Sequence, residues 1–134
     1  MVIPQLSCAP KYLVSQGVQK NDGVGPVLDL DDLRGKLLVV ALGINEVAEQ
    51  EDLAISIWGS STGTDWGTKP LVLFPQKSYC GIYATLLNLT KNPGVRFLRV
   101  QWAMNRWTQR NTDLMFGFYV SVEEMHSEAS AAVA

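Results

Sequence analysis

Along most of this chain, apolar and polar residues alternate with a period of two. Phe116, Phe118, Val120 and Val122 alternate with Gly117, Tyr119 and Ser121, the pattern of a strand with one face on a core. Leu98, Val100, Trp102 and Met104 face one way, and Phe97, Arg99 and Gln101 the other. Leu53, Ile55 and Ile57 alternate in the same way with Ala54, Ser56 and Trp58. Leu37 to Ile44 breaks the rule, because it is apolar throughout. A run of that kind predicts a central strand buried on both faces. Shorter strands are expected at Lys11 to Ser15, Val27 to Leu30 and Gly81 to Leu89. Leu71 to Phe74, held between Pro70 and Pro75, predicts an edge strand.

Turn chemistry separates these segments. Gln19 to Pro26 reads as a loop, with Asn21, Asp22, Gly23 and Gly25 suited to left-handed or open backbone. No helix is expected: Asn45 to Leu53 is short and has few apolar anchors. Seven or eight short strands at this spacing predict an all-β fold, a two-sheet antiparallel β-sandwich of jelly-roll type. The domain is expected over residues 11–124. Pro4 and Pro10 make residues 1–10 an extended arm, and the small-residue stretch 125–134 reads as a flexible tail. Val100 and Phe118 are expected in the core.

With 134 residues, of which 47% are hydrophobic, the chain holds enough apolar material for one core. Charged residues make up 18%, fewer than the usual quarter, which suits a surface partly covered by a partner. The net charge is −2 and the isoelectric point about 5.3. The eleven Lys and Arg are scattered, so no nucleic-acid partner is expected. The longest apolar run falls far short of the ~20 residues of a spanning helix, so no membrane insertion is expected. No signal-peptide pattern opens the sequence. The chain therefore stays in the cytoplasm, has lost a leader, or leaves by another route. Cys8 and Cys80 read as two separated buried thiols, with a disulfide between them left open.

Catalysis finds no support. The single histidine, His126, sits in the expected tail, so a Ser-His-Asp set and a zinc site both lack ligands. Gly59-Ser60-Ser61-Thr62-Gly63 lacks the lysine and the following helix of a phosphate loop. Asp29, Asp31 and Asp32 have no calcium-loop pattern around them and read as a solvated turn. No catalytic residue, metal or cofactor is expected.

The most informative stretch runs from Ser56 to Trp66, where a strand enters a Gly/Ser/Thr turn flanked by two tryptophans. A flat indole beside polar loop groups stacks on the apolar face of a sugar, so Trp58 and Trp66 are candidate platforms. Asp65 and Arg106 are candidate polar partners, and Trp107 or Trp102 a second platform. The competing reading makes Trp66 a cap on the end of the core. Arg96, Arg99, Arg106 and Arg110 near Trp102 and Trp107 have two readings as well. They form an anionic-partner patch, or strand-face arginines paired with Asp29, Asp31, Glu46 or Glu51.

Ser60, Gly63, Asp65 and Trp66, followed by Arg96-Phe97-Leu98-Arg99-Val100 and a tryptophan, resemble the discoidin or coagulation-factor type C domains over the second half of the chain. Thr62 stands where that family usually has Asp, and its terminal cysteine pair has no counterpart here. The resemblance implies an eight-stranded sandwich that binds a glycan or another surface through loops at one end. Two functions follow. One is a non-catalytic recognition module with a glycan ligand. The other is a structural protein that forms a homo-oligomer through its sandwich and terminal arm.

Overall fold

The computed structural model describes residues 11–47, 51–77, 79–106 and 115–125. The expected arm, the tail beyond Met125, Cys8, Trp107, Arg110 and His126 lie outside these residues. Nine strands occur among the described residues: β1 (Lys11–Gln19), β2 (Gly23–Val24), β3 (Leu28–Asp29), β4 (Leu37–Val47), β5 (Glu51–Ser60), β6 (Val72–Lys77), β7 (Gly81–Asn88), β8 (Phe97–Arg106) and β9 (Phe116–Glu124). A 3-10 turn at Asp31–Leu33 precedes β4.

The strands form two antiparallel sheets. One has the order β1-β9-β4-β7; the other has β2-β8-β5-β6, with β3 also on β8. The pairing is nested. β1 pairs with β9, β2 and β3 with β8, β4 with β7 and β5 with β6. The pairs β4–β9 and β5–β8 then join these ribbons into sheets. A long hairpin rolled on itself in this manner is a jelly roll, a sandwich of two Greek keys.

The core lies between the sheets, where the period-two pattern places it. Leu53, Ile55 and Ile57 on β5, Leu98 and Val100 on β8, and Phe116, Phe118, Val120 and Val122 on β9 are all buried. Phe118 meets Trp102 edge to face at 5.5 Å between ring centroids. The Trp102 indole Nε1 donates to the Asn21 carbonyl at 2.9 Å, so the buried ring keeps a partner for its N–H.

Three local expectations change. The stretch Gln19 to Pro26 is not all loop: Gly23 and Val24 pair with Trp102 and Gln101, which raises the strand count above the expected seven or eight. β1 runs past Ser15 to Gln19. Its register on β9 shifts between Tyr12 and Val14 and again between Val14 and Gly17. Bulges of this kind break the period of two and hide the strand from a periodicity reading. β4 is central, between β9 and β7, but it is not sealed on both faces. Leu38, Val40 and Leu42 are buried against the core, whereas Leu37, Val39 and Ala41 on the other face remain half-exposed. No helix packs over that face among the described residues.

Candidate functional site

The turn after β5 is built by its own hydroxyls and one carboxylate. Ser60 Oγ, buried at the strand end, accepts from the Thr62 and Gly63 backbone N–H groups at 3.1 and 2.8 Å. Thr62 Oγ1 accepts from the Asp65 N–H at 3.2 Å, and Asp65 Oδ1 from the Gly67 N–H at 3.1 Å. These bonds replace the ladder that the chain leaves at Ser60. Gly63 and Gly67 take positive φ of 87° and 72°, and the Phe97 ring lies beneath Gly63.

This turn delivers Trp66 onto Arg99. The guanidinium carbon stands 4.5 Å from the indole centroid, inside the ~6 Å range of a cation–π contact. Arg99 Nε is buried and has no hydrogen-bond partner among the described residues. Trp58 is the register partner of Arg99 on β5. Its half-buried indole shares the outer face of the sheet, with Nε1 donating to Ser56 Oγ at 2.9 Å. Trp58, Arg99 and Trp66 are therefore brought together by one strand pair and one turn.

Beside them lies an open cleft of about 380 Å³. Its walls include Ser61, Asp65, Trp66 and Lys69 from the turn, and Asn92 and Gly94 from the loop before β8. Asp65 is exposed with a carboxylate oxygen to spare, since a carboxylate accepts several bonds. The cleft thus combines an aromatic wall with an acid, an amine and an amide.

The other expected residues are placed elsewhere. Arg106 ends β8 with its backbone opposite Glu51, seven residues from Arg99, a span of about 23 Å. Its backbone lies at the end of β8 far from the Trp66 turn. Trp107 lies outside the described residues. Trp102, weighed as a second platform, points into the core and is no platform. Trp66 is not a core cap: it lies half-buried over an arginine on the sheet's outer side. Arg96 follows the strand-face reading and pairs with Asp29 at 3.4 Å. Asp29 also accepts from the Asp31 N–H at 3.1 Å. That backbone bond, with the arginine, holds its carboxyl below the usual 3.8 despite some loss of solvation. Asp31 sits exposed at φ 51°, in a surface turn. Cys80 is an exposed free thiol, not the buried one expected.

Periodicity missed Lys69, Asn92 and the Arg99–Trp66 stack. All three depend on which loop lies beside which strand, and only the strand order supplies that. Among the described residues, no group of His, Cys, Asp and Glu is placed to hold a metal ion.

No protein-family model matches the chain, and no curated protein matches it. Among solved structures, the chain is similar to one from the empty capsid of Triatoma virus. The TM-score is 0.53 at 10% identity, over 92% of this chain and 90% of that one. It is also similar to the K3 adhesin domain of Lys-gingipain from Porphyromonas gingivalis, with TM-score 0.49 and 13% identity over 87% of this chain and 74% of that one. At such identities the capsid likeness is one of fold, and it extends over nearly the whole of both chains.

Proposed function

We propose that this chain is a non-catalytic structural module whose sandwich assembles with further copies of itself. One observation carries the reading: the outer face of the β1-β9-β4-β7 sheet presents exposed apolar side chains, and no element among the described residues packs over them. On that face Val39 lies between Leu86 of β7 and Glu123 of β9, Ala41 between Ala84 and Ser121, and Gly43 between Ile82 and Tyr119, with Tyr12 of β1 packed on Tyr119 at 6.0 Å. Ile82, Leu86 and Tyr12 are 74%, 54% and 51% exposed. Four strands about eight residues long present roughly 500 Å² of face from strand spacing and rise, shared between these apolar side chains and Glu46, Asn88, Ser121 and Glu123. Soluble monomers rarely leave more than a few hundred Å² of contiguous apolar surface open. The β4 run has the composition of a strand covered on both sides, and a second copy supplies the missing cover. The low charge content and the fold shared with a capsid chain support the same reading, the latter as an analogy of fold. Light scattering on the full chain tests it: a defined oligomer is expected, and a monomer throughout a concentration series up to about 1 mM overturns it.

The cleft beside Trp66 favours a second reading, a recognition surface for a glycan, as the discoidin resemblance implies. Trp66 is its platform, and Asp65, Lys69 and Asn92 bond the hydroxyls. Titration with a panel of oligosaccharides, followed by tryptophan fluorescence, tests this reading. A response that Trp66→Ala abolishes supports it, and silence across the panel removes it.

A further inference from the structure

Among the described residues, the two sheets have four edges, formed by β1, β7, β6 and the β2/β3 pair. Exposed edges invite pairing with other chains, and folded proteins blunt them with breaks, charges, prolines or short strands. Three of the four are blunted here. β1 is broken by two register shifts. β6 contains Pro75 and ends at Lys77. β2 and β3 have two residues each. The fourth edge, β7, reads Gly-Ile-Tyr-Ala-Thr-Leu-Leu-Asn. It has no charge, no proline and no break in its register on β4. Its outward side chains, Ile82, Ala84 and Leu86, are all exposed.

Resting on the assembly reading above, we infer that β7 pairs antiparallel with β7 of a second copy about a two-fold axis at Ala84, joining two four-stranded sheets into one of eight. The occupant follows from symmetry. A two-fold interface sets each residue near the axis against its own copy, so any charge there would meet its like. β7 carries none. The register follows from side-chain fit. Centring on Ala84 puts Ile82 opposite the second copy's Leu86 on the outer face, and the smallest side chain of the strand's outward row on the axis. Centring one residue later puts Ile82 opposite Asn88 instead. An eight-residue antiparallel pair supplies about eight backbone hydrogen bonds, close to the ~10 of a typical interface. Edge pairing does not itself cover the β4 faces; it joins those of both copies into one surface, which a further copy can cover.

The register is directly testable in the full chain. With Cys8→Ser and Cys80→Ser removing the native thiols, Ala84→Cys places two sulfurs across the axis. Cross-strand Cα separations of about 4.5–5.5 Å fall within disulfide range. Mild oxidation of dilute protein is expected to give a disulfide-linked dimer on a non-reducing gel. Ser61→Cys, on the exposed turn, is expected to give none. In the native background, the double variant Ile82→Lys/Leu86→Lys is expected to reduce the mass in solution at least twofold. Both side chains are exposed, so its near-ultraviolet circular dichroism should match the native signal. An oligomer that survives the lysines, with no Ala84→Cys cross-link, puts the interface elsewhere: the inference falls and the assembly reading stands. Loss of the oligomer only on deletion of residues 1–10 assigns the contact to the arm and also overturns the inference. A native monomer removes the assembly reading and the inference together.

Discussion

Phe118 has no solvent exposure and sits against the Trp102 ring, so Phe118→Ala should cost about 3–5 kcal/mol by urea unfolding. A loss below about 1 kcal/mol would place the side chain outside the core. Two glycines meet aromatic rings but differ in consequence. A Cβ on Gly23 would stand 2.8 Å from Trp102 Cε2, and that ring is buried and tied to Asn21. Gly23→Ala should therefore cost about 1–3 kcal/mol, as overpacking does. A Cβ on Gly43 would meet the outer end of the Tyr119 ring. That contact is with the far end of a half-exposed side chain rather than with a buried ring tied by a hydrogen bond, so Gly43→Ala should cost less than its counterpart in the same unfolding series. Asp29 adds a pH dependence. Its folded carboxyl titrates below the ordinary 3.8, so its contribution is complete above that pH. It fades as pH falls through 3.8 toward the folded value. Asp29→Asn should flatten the urea midpoint against pH in that window and leave the slope near neutrality unchanged.

Among the elements, the turn after β5 depends most on a single atom. Ser60 Oγ is buried and satisfies two backbone donors, so Ser60→Ala leaves both without that acceptor. The expected cost is about 1–3 kcal/mol, with faster protease cleavage between Ser61 and Lys69 as the local readout. Equal nicking rates for the variant and the native chain would mean that the remaining Thr62 and Asp65 bonds suffice. The strands themselves were legible wherever one face is wet. β5, β8 and β9 follow their alternation residue by residue, because the pleat sends successive side chains to opposite faces. β1 and β2 were not. The bulges in β1 remove the period, and β2 has only two residues, formed because β8 offers a free edge beside Gly23. Turn chemistry marked Gln19 to Pro26 correctly as a place where the chain bends, but it carries no information about what lies alongside.

For the whole molecule, the proposed assembly rests on the exposed apolar side chains of one sheet face and on the β7 edge. β7 itself is uncharged, and the acids on the same face, Glu123 opposite Val39 and Glu46 opposite Gly117, belong to β9 and β4. The oligomeric mass should therefore change little between about 0.05 and 0.5 M sodium chloride, because screening acts on charges. Sulfate, which strengthens apolar burial, should shift the equilibrium toward the oligomer. Dissociation by sodium chloride alone, read by light scattering, would instead indicate an interface held by ion pairs.

Part of this account required nothing beyond the order of residues. Alternation assigned the inward sides of β5, β8 and β9, the all-β class and the sandwich, because burial on one face of a pleated strand writes a period of two into the chain. Trp66 and Asp65 stood out as candidates because a flat indole beside polar loop groups suits the apolar face of a sugar, a pattern that fits a cap on the core equally well. Side-chain partners across the fold came only from the folded chain. Arg99 stacks on Trp66 because β8 lies beside β5, and the backbone of Arg106 stands at the far end of the same strand. The continuous apolar run of β4 signalled cover on two sides, yet the sheet order places the core on one side alone. A local pattern records how much of a strand is to be buried. Which surface buries it is a non-local property, set by how the sheets, and then the copies, come together.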